Sequence, residues 1–171
     1  ESFVRWWARR SAGRKVGTGK KAALFAGCLV NYQATDVGKA TVQVLEKNGV
    51  EVALPDQSCC GMPSFDIGDT AAMVAAAERT IASLKSWVDQ GYDVVIPTPS
   101  CSLMVKREYV SLVAGDEAKR VAEHTYDISE YLMKMKREGG LAMDFTQKPG
   151  RVAYQVPCHL RDQNIGFKSK E

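Results

Sequence analysis

Histidine is almost missing from this chain, with two in 171 residues. The first apolar run leads into "AGCLVNYQ" rather than Gly-x-Gly-x-x-Gly, and no Walker A sequence occurs, so nucleotide binding has no motif to rest on. No apolar run approaches the ~18–20 residues needed to span a membrane as a helix. The opening "ESFVRWWARRSAGRKVGTGKK" has no apolar core of the kind a signal peptide carries. It begins at Glu1 rather than Met, which reads as a segment of something longer. Net charge is only +3, too small to imply a nucleic-acid partner. Disorder over most of the length is excluded by 45% apolar and 25% charged residues, ordinary values for a folded domain with its own core.

What charge there is lies to one side. Residues 1–21 hold Arg5, Arg9, Arg10, Arg14, Lys15, Lys20 and Lys21 against Glu1, and the rest of the chain is net −3. Trp6 and Trp7 sit in this basic arm. Such a segment lies on a membrane surface or a partner subunit, or serves as a linker whose tryptophans pack on a neighbouring domain.

Beyond the arm, short apolar runs alternate with helical periodicity. Residues 21–30 read as a buried strand ending near Gly27-Cys28, and 35–49 as a helix capped by Thr35 or Asp36. Residues 50–56 alternate as a strand. Residues 69–91 form the clearest helix, with Asp69 as its cap, a stripe of Val74, Ala77, Ile81, Leu84 and Val88, and Gly91 as its stop. A strand at 92–99 leads into a helix from Cys101, and a further helix spans 127–138. Residues 150–159 read as a fourth strand with Cys158 at its end. The expectation is an α/β fold: a Rossmann-like, mainly parallel sheet flanked by helices.

Five cysteines are many for an intracellular enzyme and few for a secreted disulfide scaffold. Cys28, the Cys59-Cys60 pair, Cys101 and Cys158 all fall on loops at the C-terminal ends of predicted strands, where ligands of parallel sheets collect. Cysteines used for packing would scatter. "SCCG" at 58–61 allows three readings: buried thiols, a vicinal disulfide, or two ligands to one metal centre. Zinc usually takes paired knuckles with two to four residues between the cysteines, whereas the spacing here is single, adjacent pair, single. Adjacent thiolates reach different irons of a multi-iron cluster more easily. Gly61 lets backbone N–H groups approach the sulfurs. Gly27 and Pro99 shape their loops, Met104 packs in the core, and His159 tunes Cys158 or packs at the strand end. His124 reads as an ordinary surface histidine, and Asp69 as a cap with no catalytic part.

Cys28, "CCG" at 59–61 and "PSC" at 99–101 together resemble the cysteine-rich CCG domain. That domain occurs in the B-type subunit of heterodisulfide reductase and in the iron–sulfur subunits of anaerobic glycerol-3-phosphate dehydrogenase and glycolate oxidase. Its pattern is C…CCG…C-x-x-C, usually present twice. Here the arm covers 1–21, the first repeat 22–149, and "YQVPCHLRDQNIG" opens a second within 150–171. The last cysteine of the pattern is replaced by Met104, and the second CCG lies beyond residue 171.

The resemblance implies Cys28, Cys59, Cys60, Cys101 and Cys158 as metal ligands to an iron–sulfur cluster, [4Fe-4S] in type. It implies an electron-transfer component of an oxidoreductase, with a flavin-containing dehydrogenase subunit or ferredoxin-like domain as partner. Location is cytoplasmic or peripheral to the inner face of the membrane, with a membrane-associated subunit as a further partner. Two alternatives stand beside it: disulfide reduction at the cluster, and a zinc-stabilised interaction domain.

Overall fold

The computed structural model describes residues 1–10, 19–147 and 150–170. Four short strands, β1 (Lys21–Leu24), β2 (Glu51–Ala53), β3 (Asp93–Ile96) and β4 (Thr125–Asp127), form one sheet in the order β2-β1-β3-β4. Every pair is parallel: Ala22 sits beside Val52 and Asp93, and Val95 beside Tyr126. Parallel neighbours require long crossovers, and helices supply them.

The sheet is covered on both faces, which is why its central strands, after Lys21 and Asp93 at their starts, run on as three consecutive buried apolar residues rather than alternating. Val94 and Ile96 of β3 point into a core built with Leu84, Ile81 and Val88 of α5 (Thr70–Val88) and Val121 of α8 (Asp116–Glu123). Val95 and Leu24 point the other way. There they meet Val42 and Leu45 of α3 (Thr35–Lys47) and Tyr131 and Met135 of α9 (Ile128–Arg137).

The stripe expected on α5 is the buried one, centred on Ala77, Ile81, Leu84 and Val88, and Asp69 caps the helix by accepting from Ala72 N–H at 3.0 Å. α3 begins at Thr35, with Ala34 rather than Thr35 or Asp36 as its cap residue and no side-chain cap bond. Asp36 instead lies in the first turn, where its charge favours the helix dipole.

The N-terminal arm contributes α1 (Phe3–Arg9). Phe3 and Trp7 are buried in the α3 and α9 core, so Trp7 packs on this domain rather than on a neighbour. Gly38 of α3 makes room: a Cβ there would lie 2.7 Å from both Phe3 and Val30. Arg10 is held by an ion pair to Glu46 and lies 5.3 Å from the Trp6 ring centre. Arg14 and Lys15 fall outside the described residues.

Two expected strands are corrected. The first strand stops at Leu24, and residues 27–32 form a short helix, α2 (Gly27–Tyr32), with Gly27 at φ +63° turning the chain into it. Residues 150–157 form no strand. Residues 150–155 are exposed, with Val152 at 72%, and the segment pairs with nothing in the sheet. Their alternating pattern fits a strand, but a strand needs at least one hydrogen-bonded neighbour and the sheet gives these residues none. The fourth strand is β4, only three residues of polar sequence, held through Val94 N–H to His124 C=O at 2.8 Å. Cys158 therefore opens a short helix, α10 (Cys158–Asp162), instead of ending a strand.

Asp127 ends β4 and caps α9. Its carboxylate accepts from Ser129 N–H at 2.8 Å, and Glu130 accepts from Asp127 N–H at 3.1 Å, completing a capping box. Burial raises the Asp127 carboxyl above its usual range, against the opposing effect of the Ser129 N–H. An acid raised in the folded state is neutral more readily there than unfolded. Its stability contribution is therefore greatest below the unfolded value near ~4 and declines as pH rises through the folded one. Asp127→Ala is expected to cost ~0.5–2 kcal/mol for the lost cap. Asp127→Asn keeps the cap and sheds the ionisation penalty, so at pH 7 it should match or exceed the unaltered chain in urea melts, with any advantage vanishing by pH 4. An Asn variant weaker at pH 7 than at pH 4, relative to the unaltered chain, contradicts this.

Among the described residues no helix is long and apolar enough to cross a membrane.

Candidate metal centre

The order β2-β1-β3-β4 has a switch point. From β1 the chain moves outward to β2, then crosses back to β3 on the other side. Crevices outside the carboxyl ends of the strands at such a point are where open α/β sheets bind their ligands. Three loops leave the sheet there, and each carries cysteine. Cys28 lies in the first turn of α2, after β1. Cys59 and Cys60 precede α4 (Met62–Asp66), after β2. Cys101 lies in α6 (Pro99–Leu103), after β3.

The four thiols form one interacting group. Cys28 Sγ and Cys59 Sγ are 3.7 Å apart at the open edge, Cys28 exposed and Cys59 half-buried. Cys60, which interacts with Cys101 and with Cys59, is 2% exposed and Cys101 3%, and the two form the floor. Gly27 is what lets the β1 and β3 loops approach. It is in the left-handed region, and a Cβ on it would stand 3.2 Å from Cys101 Sγ.

Electrostatics couples the group. The Cys60 thiol is lowered to about 7 by its hydrogen bond with Cys101, helped by the N–H of Met62 and opposed by burial. Cys101 is correspondingly pushed up, by the same bond, by burial and by the charges of Cys60, Cys28 and Cys59. Burial also raises Cys59, against the N–H of Gly61. Four thiols this close resist ionising together unless a cation neutralises them. The donor set therefore fits a metal centre ligated by thiolate. Gly61, at φ +85°, opens α4 and places the N–H groups of Gly61 and Met62 at the sulfurs of Cys59 and Cys60. That is the part glycine was expected to play. Among the described residues no group of three or more His, Cys, Asp or Glu is placed to hold a metal ion.

Two supports carried no sequence signal. Gln57 ties two of the loops together. Its amide oxygen accepts from Ala26 N–H at 2.6 Å and Gly27 N–H at 3.0 Å, and its amide nitrogen donates to Leu24 and Pro55 carbonyls at 3.2 Å each. A glutamine in a loop looks like any other, and only its position two residues before Cys59 marks it. Gln57→Leu should leave Ala26 and Gly27 N–H unpaired, costing ~1–3 kcal/mol. It should also loosen the Cys28–Cys59 approach, read as faster alkylation of both cysteines. Unchanged melting and alkylation would remove Gln57 from this role. The second support is Tyr109 of α7 (Tyr109–Leu112), wholly buried, whose hydroxyl donates to the Cys60 carbonyl at 2.7 Å.

Met104 fills the position of the missing cysteine. It is fully buried, at the start of a π-helical turn (Met104–Glu108) that continues α6. Cys158 stands apart. It is exposed, its sulfur neighbour is Arg161 Nη2 at 3.7 Å rather than His159, and the interactions joining the other four thiols do not include it. α10 nonetheless docks on α6, where Gln163 donates to Pro99 C=O at 3.1 Å and Ser102 Oγ at 3.0 Å. His124 caps α8 near Asp93 at 3.5 Å, away from the thiols.

A doubly covered parallel sheet that presents four thiols at its switch point defines a cysteine-rich α/β domain. Residues 22–106 match the model of the CCG cysteine-rich domain, and the chain belongs to that family. It is similar to proteins named lactate utilization protein A. It is 36% identical over 146 residues to that of Geobacillus thermodenitrificans, 35% over 146 residues to that of Geobacillus kaustophilus, and 36% over 146 residues to that of Bacillus pumilus. In each case the match covers 82% of this chain and 58% of the relative, so the chain spans little over half the length of these curated relatives. No solved structure matches.

Proposed function

We propose that this chain is the iron–sulfur electron-transfer module of an oxidoreductase that works in lactate oxidation. The observation that carries the reading is the four-thiol group on three strand-exit loops at the sheet's switch point. The name shared by its relatives supplies the substrate class. Cys28, Cys59, Cys60 and Cys101 hold the cluster, taken as [4Fe-4S], which supplies one-electron oxidation and reduction when bound. Cys60 and Cys101 form its dry floor, and the N–H groups of Gly61 and Met62 donate to ligand sulfur, an interaction that raises reduction potential. Cys28 and Cys59 form the edge that a partner reaches. That partner is a flavin-containing dehydrogenase subunit or a ferredoxin-like domain, at the inner face of the cell membrane or free in the cytoplasm.

Domain organisation follows the same reading. Residues 22–149 are one repeat. Cys158, at the head of α10 as Cys28 is at the head of α2, opens a second repeat and ligates there.

Anaerobic reconstitution with ferrous iron and sulfide tests the proposal. A brown protein with about four irons per chain is expected. A colourless protein holding about one zinc would replace the cluster with a structural site. Turnover of a small disulfide by the loaded protein alone would replace electron transfer with disulfide reduction.

A further inference from the structure

We propose that Cys28 and Cys59 are a reversible dithiol, which closes to a disulfide in the metal-free chain while Cys60, Cys101 and Cys158 stay reduced. The inference rests on thiol geometry and not on the kind of metal the site takes. The two sulfurs lie 3.7 Å apart, against ~2.05 Å in a disulfide. Closing the gap takes about 1.65 Å of sulfur movement. The two residues belong to different loops, so the bond would join positions 31 apart in sequence without straining a local turn. Gln57 holds those two loops in register through its bonds to Ala26, Gly27 and Pro55.

Selectivity comes from exposure and from the Cys28–Cys59 approach. Cys28 is exposed and meets an oxidant first, and half-buried Cys59 stands behind it. Cys60 interacts with both Cys59 and Cys101, but it and Cys101 are sealed from solvent and out of an oxidant's reach. Cys158 is exposed, and the partner of its sulfur is Arg161 Nη2 at 3.7 Å.

The oxidant is a small-molecule disulfide. Cys28 sulfur attacks one of its sulfurs, the small S–S bond breaks, and one small thiol leaves carrying the Cys28 proton. Cys59 sulfur then attacks Cys28 Sγ, and the second small thiol leaves carrying the Cys59 proton. Two protein thiols become one disulfide, and one small disulfide becomes two thiols. Exchange of this kind needs an accessible attacking thiol and a nearby resolving one, and the open edge provides both. While the bond lasts, half of the donor set is withdrawn from the site.

The test uses the metal-free chain, incubated anaerobically with oxidised glutathione, alkylated, digested and mapped by mass spectrometry. The expected product links Cys28 to Cys59, with the other three cysteines alkylated. Dithiothreitol should return all five thiols. In Cys59→Ser, glutathione should remain attached to Cys28. A Cys59–Cys60 or Cys60–Cys101 bond, any bond to Cys158, a lasting glutathione adduct on Cys28 in the unaltered chain, or no oxidation of Cys28 each overturns the proposal.

Discussion

Cys60→Ala is expected to cut the iron retained after anaerobic reconstitution at least about tenfold, while the chain stays folded. Even loss of a partner outside the ligand set costs ~10–100-fold in metal affinity, and Cys60 is proposed as a ligand itself. Its removal also takes away the hydrogen bond that lowers its own thiol and the partner of buried Cys101. Cys60→Ser probes the same loss with a polar atom left in place. Cys158→Ser should leave the iron of this site unchanged, because Cys158 takes no part in the contacts that join the other four thiols. Iron analysis, visible absorption and circular dichroism on the three variants decide the matter. A Cys60→Ala protein that still holds about four irons removes Cys60 from the ligand set. A Cys158→Ser protein that loses them brings Cys158 into this site.

Tyr109→Ala should be the most damaging change to stability, at ~3–5 kcal/mol, the usual cost of deleting a buried aromatic ring. A domain of this size has ~5–15 kcal/mol in total, so the loss is a large fraction of it. Tyr109 packs in the α5 and α8 core, and its hydroxyl anchors the Cys60 carbonyl, with Thr80 Oγ1 at 3.4 Å. Tyr109→Phe separates the two roles. It keeps the ring and leaves the buried carbonyl without its donor, costing ~1–3 kcal/mol. Urea unfolding of both variants reads the costs as shifts in midpoint. If Phe costs nothing, the hydroxyl does not hold the cysteine loop. If Ala costs no more than Phe, the ring is not part of the core.

The helical stripe of α5, the apolar runs of β1 and β3, and the placement of cysteines after strands were all legible in the chain. Each is a local pattern tied to a repeat of the backbone: 3.6 residues per turn for the stripe, and a continuous apolar run for a strand buried on both faces. β4 was not legible, because three polar residues carry no period. They are a strand only because β3 offers an edge. Residues 150–157 show the converse: the pattern is present and the neighbouring strands are not. Phe3 carries the same lesson, since its burial depends on the space that Gly38 leaves between α1 and α3.

By itself the sequence determined the class of the fold, the family, and which thiols stand at strand exits. Composition, period and the spacing of Cys28, Cys59, Cys60 and Cys101 are properties of the chain alone. Tertiary structure decided how those thiols are grouped. The strand order brings the exits of β1, β2 and β3 side by side, Gly27 lets two of them approach, and Gln57 and Tyr109 hold the loops from behind. It also set Cys158 apart from the other four. The physical reason is that contact between loops far apart in sequence is fixed by which strands pair, and strand pairing is a property of the whole sheet rather than of any one segment.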